Sequence, residues 1–128
     1  MAMSRQEIEV WAAAYIQAQQ DPTLLKKGNS LWWAVEKFMS PLPDGTSSED
    51  CWVTILEVLS RKPPDSVLGV LAAGPLEDLI DYYGPEFIER IETEARRNAS
   101  FRHLLGGVWE SSTPDVWARV QKAQGEIW

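Results

Sequence analysis

A chain of 128 residues is the size of one domain, and its 45% hydrophobic and 24% charged content is that of a globular protein rather than a disordered or fibrous one. No stretch approaches the roughly 20 consecutive apolar residues of a bilayer span, and Glu7 and Glu9 stand where a secretion signal would place its apolar segment, so the reading is a cytoplasmic protein with no membrane association. The net charge of -7 is concentrated in the middle, where residues 44 to 94 carry twelve acidic against three basic side chains, a balance of -9. That balance disfavours direct nucleic-acid binding and favours a protein partner with a basic surface.

In chain order, Ser4 with Glu7 has the form of a capping box, and Ile8, Trp11, Ala12, Tyr15 and Ile16 follow at helical spacing. A helix over about 5 to 19 is expected, ended by Asp21-Pro22. A second helix is expected over about 30 to 39. Residues 40 to 47, with Pro41, Pro43 and Gly45, read as the longest loop and the best candidate for flexibility. Ser47 with Asp50 suggests a second capping box, opening a helix to about Arg61 that Pro63-Pro64 stops. Asp65 is expected to cap a short, apolar, central helix over about 67 to 73.

Gly74-Pro75 and Gly84-Pro85 each pair a helix-ending residue with a helix-starting one, which predicts a short helix from Pro75 to about Tyr83 and a new one from Pro85 to Arg97. Leu76, Leu79, Ile80 and Tyr83 form the inner stripe of the first. On the second, Glu86 with Arg90 and Glu92 with Arg96 are expected ion pairs at i,i+4. Phe101, Leu104, Leu105, Val108 and Trp109 continue at helical spacing across Gly106-Gly107, where a kink, a helix end or a close crossing is expected. Thr113-Pro114 opens a last helix to about Gln124. These elements predict one all-α domain over 1 to 128, an irregular bundle of about 7 to 8 short helices, with a short stack of helical hairpins as the alternative.

The runs Val70 to Ile80, Phe87 to Arg97 and Leu104 to Trp109, reading VLAAGPLEDLI, FIERIETEARR and LLGGVW, resemble a small bacterial all-helical family classed as a domain of unknown function. The resemblance covers about 52 to 120 and implies a bacterial, cytosolic, helical domain, with no reaction attached.

No phosphate-binding loop, dinucleotide fingerprint, zinc-protease motif or calcium loop is present, so no cofactor and no metal are expected. Cys51 and His103 are single residues of their type; Cys51, in an apolar run, reads as a small buried hydrophobe. Glu77, Asp78 and Asp81 lie on one short helix, with Glu77 and Asp81 a like-charge i,i+4 pair. They read either as a solvated face or, with Glu89, as an acidic docking patch. Most of the seven tryptophans should be core, but Trp32 and Trp33 are adjacent and point about 100° apart on a helix. One of them, together with Trp128, is expected at a partner or dimer interface.

The expected function is a non-enzymatic acidic protein-binding module, an inhibitor or immunity-type protein that neutralises a basic enzyme such as a nuclease toxin or a phage-defence nuclease. A carboxylate-based enzyme or metal-binding protein and a structural homo-oligomeric module are the alternatives that stay open.

Overall fold

The computed structural model describes residues 2–39, 42–43 and 45–128. Among the described residues the chain is helical throughout, with no strand: α1 (Arg5–Gln19), α2 (Trp32–Glu36), α3 (Ser48–Ser60), α4 (Asp65–Leu71), a π-helical turn (Ala72–Leu76), α5 (Glu77–Arg97), α6 (Ala99–Leu105) and α7 (Pro114–Ala123). The fold is all-α, as the spacing of apolar residues predicts. Of the expected 40 to 47 loop, Ser40, Pro41 and Asp44 lie outside the described residues.

Helix α1 opens on the expected capping box: the Ser4 hydroxyl accepts the Glu7 N–H, and the Glu7 carboxylate accepts the Ser4 N–H. After α1, Asp21 and Asn29 close the connecting segment. Asp21 accepts from the Thr23 N–H, the Thr23 hydroxyl and the Asn29 amide, and Asn29 accepts the Leu31 N–H. The second capping box is only half made. Ser47 accepts the Asp50 N–H, but the Asp50 carboxylate turns away to accept the Met3 N–H at 3.2 Å. Asp65 does not cap α4 either. Pro64 holds the cap position without a side-chain bond, and Asp65 sits in the first turn, where its charge meets the positive end of the helix.

The largest departure from expectation lies at the first of the two Gly-Pro pairs, Gly74-Pro75, which does not end the helical run. Pro75 has no N–H for the Leu71 carbonyl four residues back. The turn widens instead, and Glu77 donates to the Ala72 carbonyl, five residues back. At the second pair the expected boundary is present: Tyr83 (φ -133°, ψ 16°) is non-helical, and α5 is two helices that meet at a kink there. From Asp65 to Arg97 the helical run is thus widened at Ala72–Leu76 and interrupted by the kink at Tyr83.

The core has two aromatic nodes. Between α1 and α2, Trp11 lies 4.4 Å and Tyr15 5.1 Å from Phe38 by ring centroids, and the buried Trp11 indole donates to the Ala34 carbonyl at 2.9 Å. Among α3, α5 and α6, Trp52 lies 5.8 Å from Phe87 and 5.4 Å from Phe101. Leu76, Leu79 and Ile80 are buried as the inner stripe predicts. The expected pairs of Glu86 with Arg90 and Glu92 with Arg96 give way to pairs between helices, while Glu94 and Arg97 pair along α5 at 2.7 Å: Arg90 reaches Glu49 of α3, and Arg119 of α7 clasps Glu92 through both oxygens, at 2.9 and 2.5 Å. A guanidinium long enough to reach a neighbouring helix gains contact between elements, which a bond along one helix does not supply.

Candidate functional site

The acidic stretch of α5 is tied to the segment between α6 and α7. Glu77 accepts the Trp109 N–H and Asp81 accepts the Ser112 N–H, each at 3.0 Å. Gly84, one helical turn on from Asp81, lets that segment come close. A Cβ there would stand 2.5 Å from the Ser112 hydroxyl and 2.9 Å from a Val116 methyl. The like-charge Glu77 and Asp81 thus have a structural task, since each carboxylate satisfies a backbone donor that helix ends and turns leave open.

Gly106 caps α6, the helix end that is one of the outcomes expected at Gly106-Gly107, so the helical spacing of Phe101 to Trp109 stops before Trp109. Trp109 instead stands 76% exposed. The pair Gly106-Gly107 has a second role, because residues 125 to 128 fold back across it. Gly125 donates to the Arg102 carbonyl and Trp128 to the Gly106 carbonyl, while the Trp128 indole N–H donates to the His103 carbonyl at 2.6 Å and its ring stacks on the His103 imidazole at 5.1 Å. A Cβ on Gly106 would lie 2.0 Å from the Glu126 carbonyl oxygen, and one on Gly107 2.8 Å from the Trp128 ring.

This packing builds a cleft of about 300 Å³ lined by Val108, Trp109, Trp117, Gln124, Ile127 and Trp128. Ile127 is 74% and Trp128 47% exposed. Glu110 and Glu126, both exposed, follow or precede these residues in the chain, and Glu77 and Asp81 hold the segment from beneath. The result is an aromatic surface inside an acidic frame.

The residues singled out from sequence fall in four places. Glu77, Asp81 and Trp128 support or line this face. Asp78 lines a separate cleft between α1, the α2 region and the π turn. Its carboxyl is raised above the ordinary value by burial first, then by the charges of Glu77 and Asp81. Glu89 lies in a shallow depression with Glu49 and Arg90. Trp32 and Trp33 sit on α2: Trp32, half-buried, donates to Glu36 at 3.0 Å, and Trp33 is 43% exposed.

Only Trp11 and Trp52 among the tryptophans are fully buried, so most are not core as expected. Sequence reasoning missed Trp109 and Ile127. The signal for Trp109 is the glycine pair before it, because a helix end there, one of the outcomes expected, releases Trp109 from the apolar stripe.

Cys51 is buried on α3, and its thiol is pushed up to about 12 by burial and then by the Asp50 charge. His103 is exposed on α6 under Trp128. The two do not form a catalytic pair. Among the described residues no group of three or more His, Cys, Asp or Glu side chains stands close enough to hold a metal ion, and no helix is long and apolar enough to cross a membrane.

No curated protein and no solved structure matches the chain. Residues 18–127 match a family of unknown function, DUF6869. The match is wider than the 52 to 120 over which the resemblance was read, taking in α2, the segment before it and the segment that folds back over Gly106. Only residues 1–17, which hold most of α1, and residue 128 lie outside the matched region, and the chain belongs to the family of unknown function DUF6869.

Proposed function

We propose that this chain is a non-enzymatic protein-binding module of the inhibitor or immunity type, which works in the cytoplasm and neutralises a basic enzyme such as a nuclease. The observation that carries the reading is the exposed Trp109, Ile127 and Trp128 surface framed by Glu77, Asp81, Glu110 and Glu126. Large aromatic side chains held rigidly at the surface are the residues that dominate binding energy in protein complexes. Here Trp109 is fixed through its backbone by Glu77, and Trp128 through its indole by His103. The Trp128 ring therefore has little side-chain entropy left to lose on binding, and the backbone that carries Trp109 is already in place. The acidic frame supplies long-range attraction for a basic surface and raises its association rate.

The test is affinity capture with the tagged chain, followed by binding and activity assays on the captured protein. The expected partner is basic, loses its activity in the complex and binds the Trp109→Ala variant more weakly. A partner bound equally well by Trp109→Ala, with an association rate insensitive to salt, would overturn the reading.

A further inference from the structure

Along α7 and its cap, Trp117, Gln121 and Gln124 lie on the stripe that lines the aromatic cleft, and Arg119, Lys122 and Ala123 lie on the opposite one. There α5, α6 and α7 enclose a cleft of about 320 Å³, lined by Arg96 of α5, Arg102 of α6 and Arg119 and Lys122 of α7, with Glu92 as its one acid. All four cations are exposed. The chain carries a net charge of -7, yet residues 95 to 128 hold five basic against three acidic side chains, and four of those five meet here.

Glu92 is taken up by Arg119, which clasps both its oxygens. Among the described residues Arg96, Arg102 and Lys122 enter no ion pair, and Arg96 donates only to the Thr93 hydroxyl at 3.3 Å. The Glu92 carboxyl is held below its ordinary value first by the Arg119 hydrogen bond and then, against burial, by the charges of Arg119, Arg96 and Lys122. Arg96 and Lys122 therefore act on one point from two helices. Arg102 is fixed in place. Its guanidinium donates to the Ala95 carbonyl at 3.0 Å, one of those that the end of α5 leaves open. That contact covers the negative end of α5, which would repel an anion, and leaves the other guanidinium donors open. Behind it, Gly125 donates to the Arg102 carbonyl, and a Cβ on Gly125 would stand 3.3 Å from the Arg102 Cγ, so the folded-back tail packs against the arginine stem.

Guanidinium forks match the oxygens of a phosphate group, and an ammonium adds a point charge. Three cations without a carboxylate partner suit an anion of more than one charge, and a phosphate monoester carries about -1.5 to -2 at neutral pH. A long polyanion is disfavoured, because outside the cleft it would run over an acidic molecule. The volume lies at the lower end of the roughly 300–1,000 Å³ of small-molecule sites, which sets the size of the ligand. We propose that this cleft holds a small phosphate monoester, its phosphate oxygens accepting from Arg96, Arg102 and Lys122 and its organic body lying against Ala95 and Ala123. Nothing in this assignment depends on the protein-docking reading, which uses the other stripe of α7.

The experiment titrates the full chain at low ionic strength with glycerol 3-phosphate, inorganic phosphate, succinate and a thymidine octanucleotide, by calorimetry and by NMR. Glycerol 3-phosphate is expected to saturate one site, with chemical-shift changes centred on Ala95, Arg102 and Ala123. Inorganic phosphate, which lacks the organic body, and succinate, which lacks the phosphate, should each bind several-fold more weakly. Arg102→Gln and Lys122→Gln should each weaken glycerol 3-phosphate about tenfold, the size of one good polar contact. Lys27→Gln, the same change of charge at an exposed position outside the cleft, should leave its affinity unchanged. Lys122 is exposed and outside every ion pair of the described residues, so its variant tests the site even if Arg102→Gln loosens the tail. Shift changes that centre elsewhere, a loss in Lys27→Gln equal to that in Lys122→Gln, or binding of inorganic phosphate, succinate or the octanucleotide as tight as that of the ester would each overturn the assignment.

Discussion

The Glu77 carboxylate accepts the backbone N–H of Trp109 at 3.0 Å, so an acid on α5 sets the position of the most exposed tryptophan, 32 residues further along the chain. Acidity and aromatic exposure are therefore one construction here. Charge and support can nevertheless be separated by choice of substitution.

Replacing Glu77, Asp78 and Asp81 together with Gln, Asn and Asn removes three charges but keeps a carbonyl acceptor for the Trp109 and Ser112 donors. The triple variant should keep its fold and its helical spectrum while associating more slowly with a basic partner, with a flatter dependence of the rate on salt. Glu77→Ala with Asp81→Ala should in contrast lose both hydrogen bonds, at about 0.5–1.5 kcal/mol each. Stopped-flow association at several salt concentrations and urea titration give the two readouts. An unchanged rate and salt slope in the Gln and Asn variant would return these acids to a purely supporting role.

Leu79 is buried on the inner stripe of α5 and Asp78 beside it is not, so Leu79→Ala should cost roughly 2–5 kcal/mol and Asp78→Ala little. The sign of the Asp78 effect depends on pH. Its folded-state carboxyl is raised above the unfolded value of 3.8, so the folded protein holds the proton more tightly. The stabilisation is present when the group is protonated and is lost as pH rises through the folded value. Asp78→Asn should thus be slightly stabilising at neutral pH and neutral below the unfolded value. Urea midpoints at pH 7 and pH 3 check this, and a destabilised Asn variant at pH 7 would contradict the assigned environment.

Gly106→Ala should displace residues 125 to 128, since the new Cβ would collide with the Glu126 backbone, which cannot yield as a flexible side chain would. A cost of about 1–3 kcal/mol is expected from such overpacking. Loss of the 2.6 Å indole hydrogen bond and the His103 stacking should show in the Trp128 side-chain N–H resonance. Gly84→Ala, whose neighbours are the ends of Ser112 and Val116, should cost less. A Gly106→Ala variant with an unmoved Trp128 resonance would show that the tail does not rest there.

Cys51 should resist alkylation in the native state at pH 8, because burial and the Asp50 charge leave little thiolate at that pH. Reaction with iodoacetamide should become rapid once urea unfolds the chain. Fast modification of the native protein would mean that the N-terminal part of α3 opens locally far more often than a core helix should.

Helix-forming segments were readable because each signal is local: a capping hydroxyl three residues before its donor, or Leu79 and Ile80 in phase with Leu76. What escaped was set by partners distant in sequence. Both Gly-Pro pairs favour a helix boundary, and the second lies at one, after Tyr83, but at the first the packing of Leu71, Leu76 and Ile80 in one core outweighs that preference and keeps the helix going through a wide turn. Asp50 forgoes its own capping box because Met3 arrives from 47 residues away. The exposure of Trp109 depends on where α6 ends, and its anchoring depends on Glu77. The acidic cluster was legible as charge, whereas its division between two clefts was not.

The extra residue in the turn from Ala72 to Leu76 acts as a gear between two helices. Each residue rotates an α-helix by about 100°, so taking one out without other change would turn the whole of α5 by that angle relative to α4. Leu79 and Ile80 would swing toward solvent, and Glu77 and Asp81 would lose the backbone donors of Trp109 and Ser112. Deleting Gly74 should therefore unfold the domain, although a Cβ there would meet nothing, while a compensating insertion further along α5 would restore the phase only beyond its own position. The wide turn thus decides which side of α5 faces inward from Glu77 up to the kink at Tyr83.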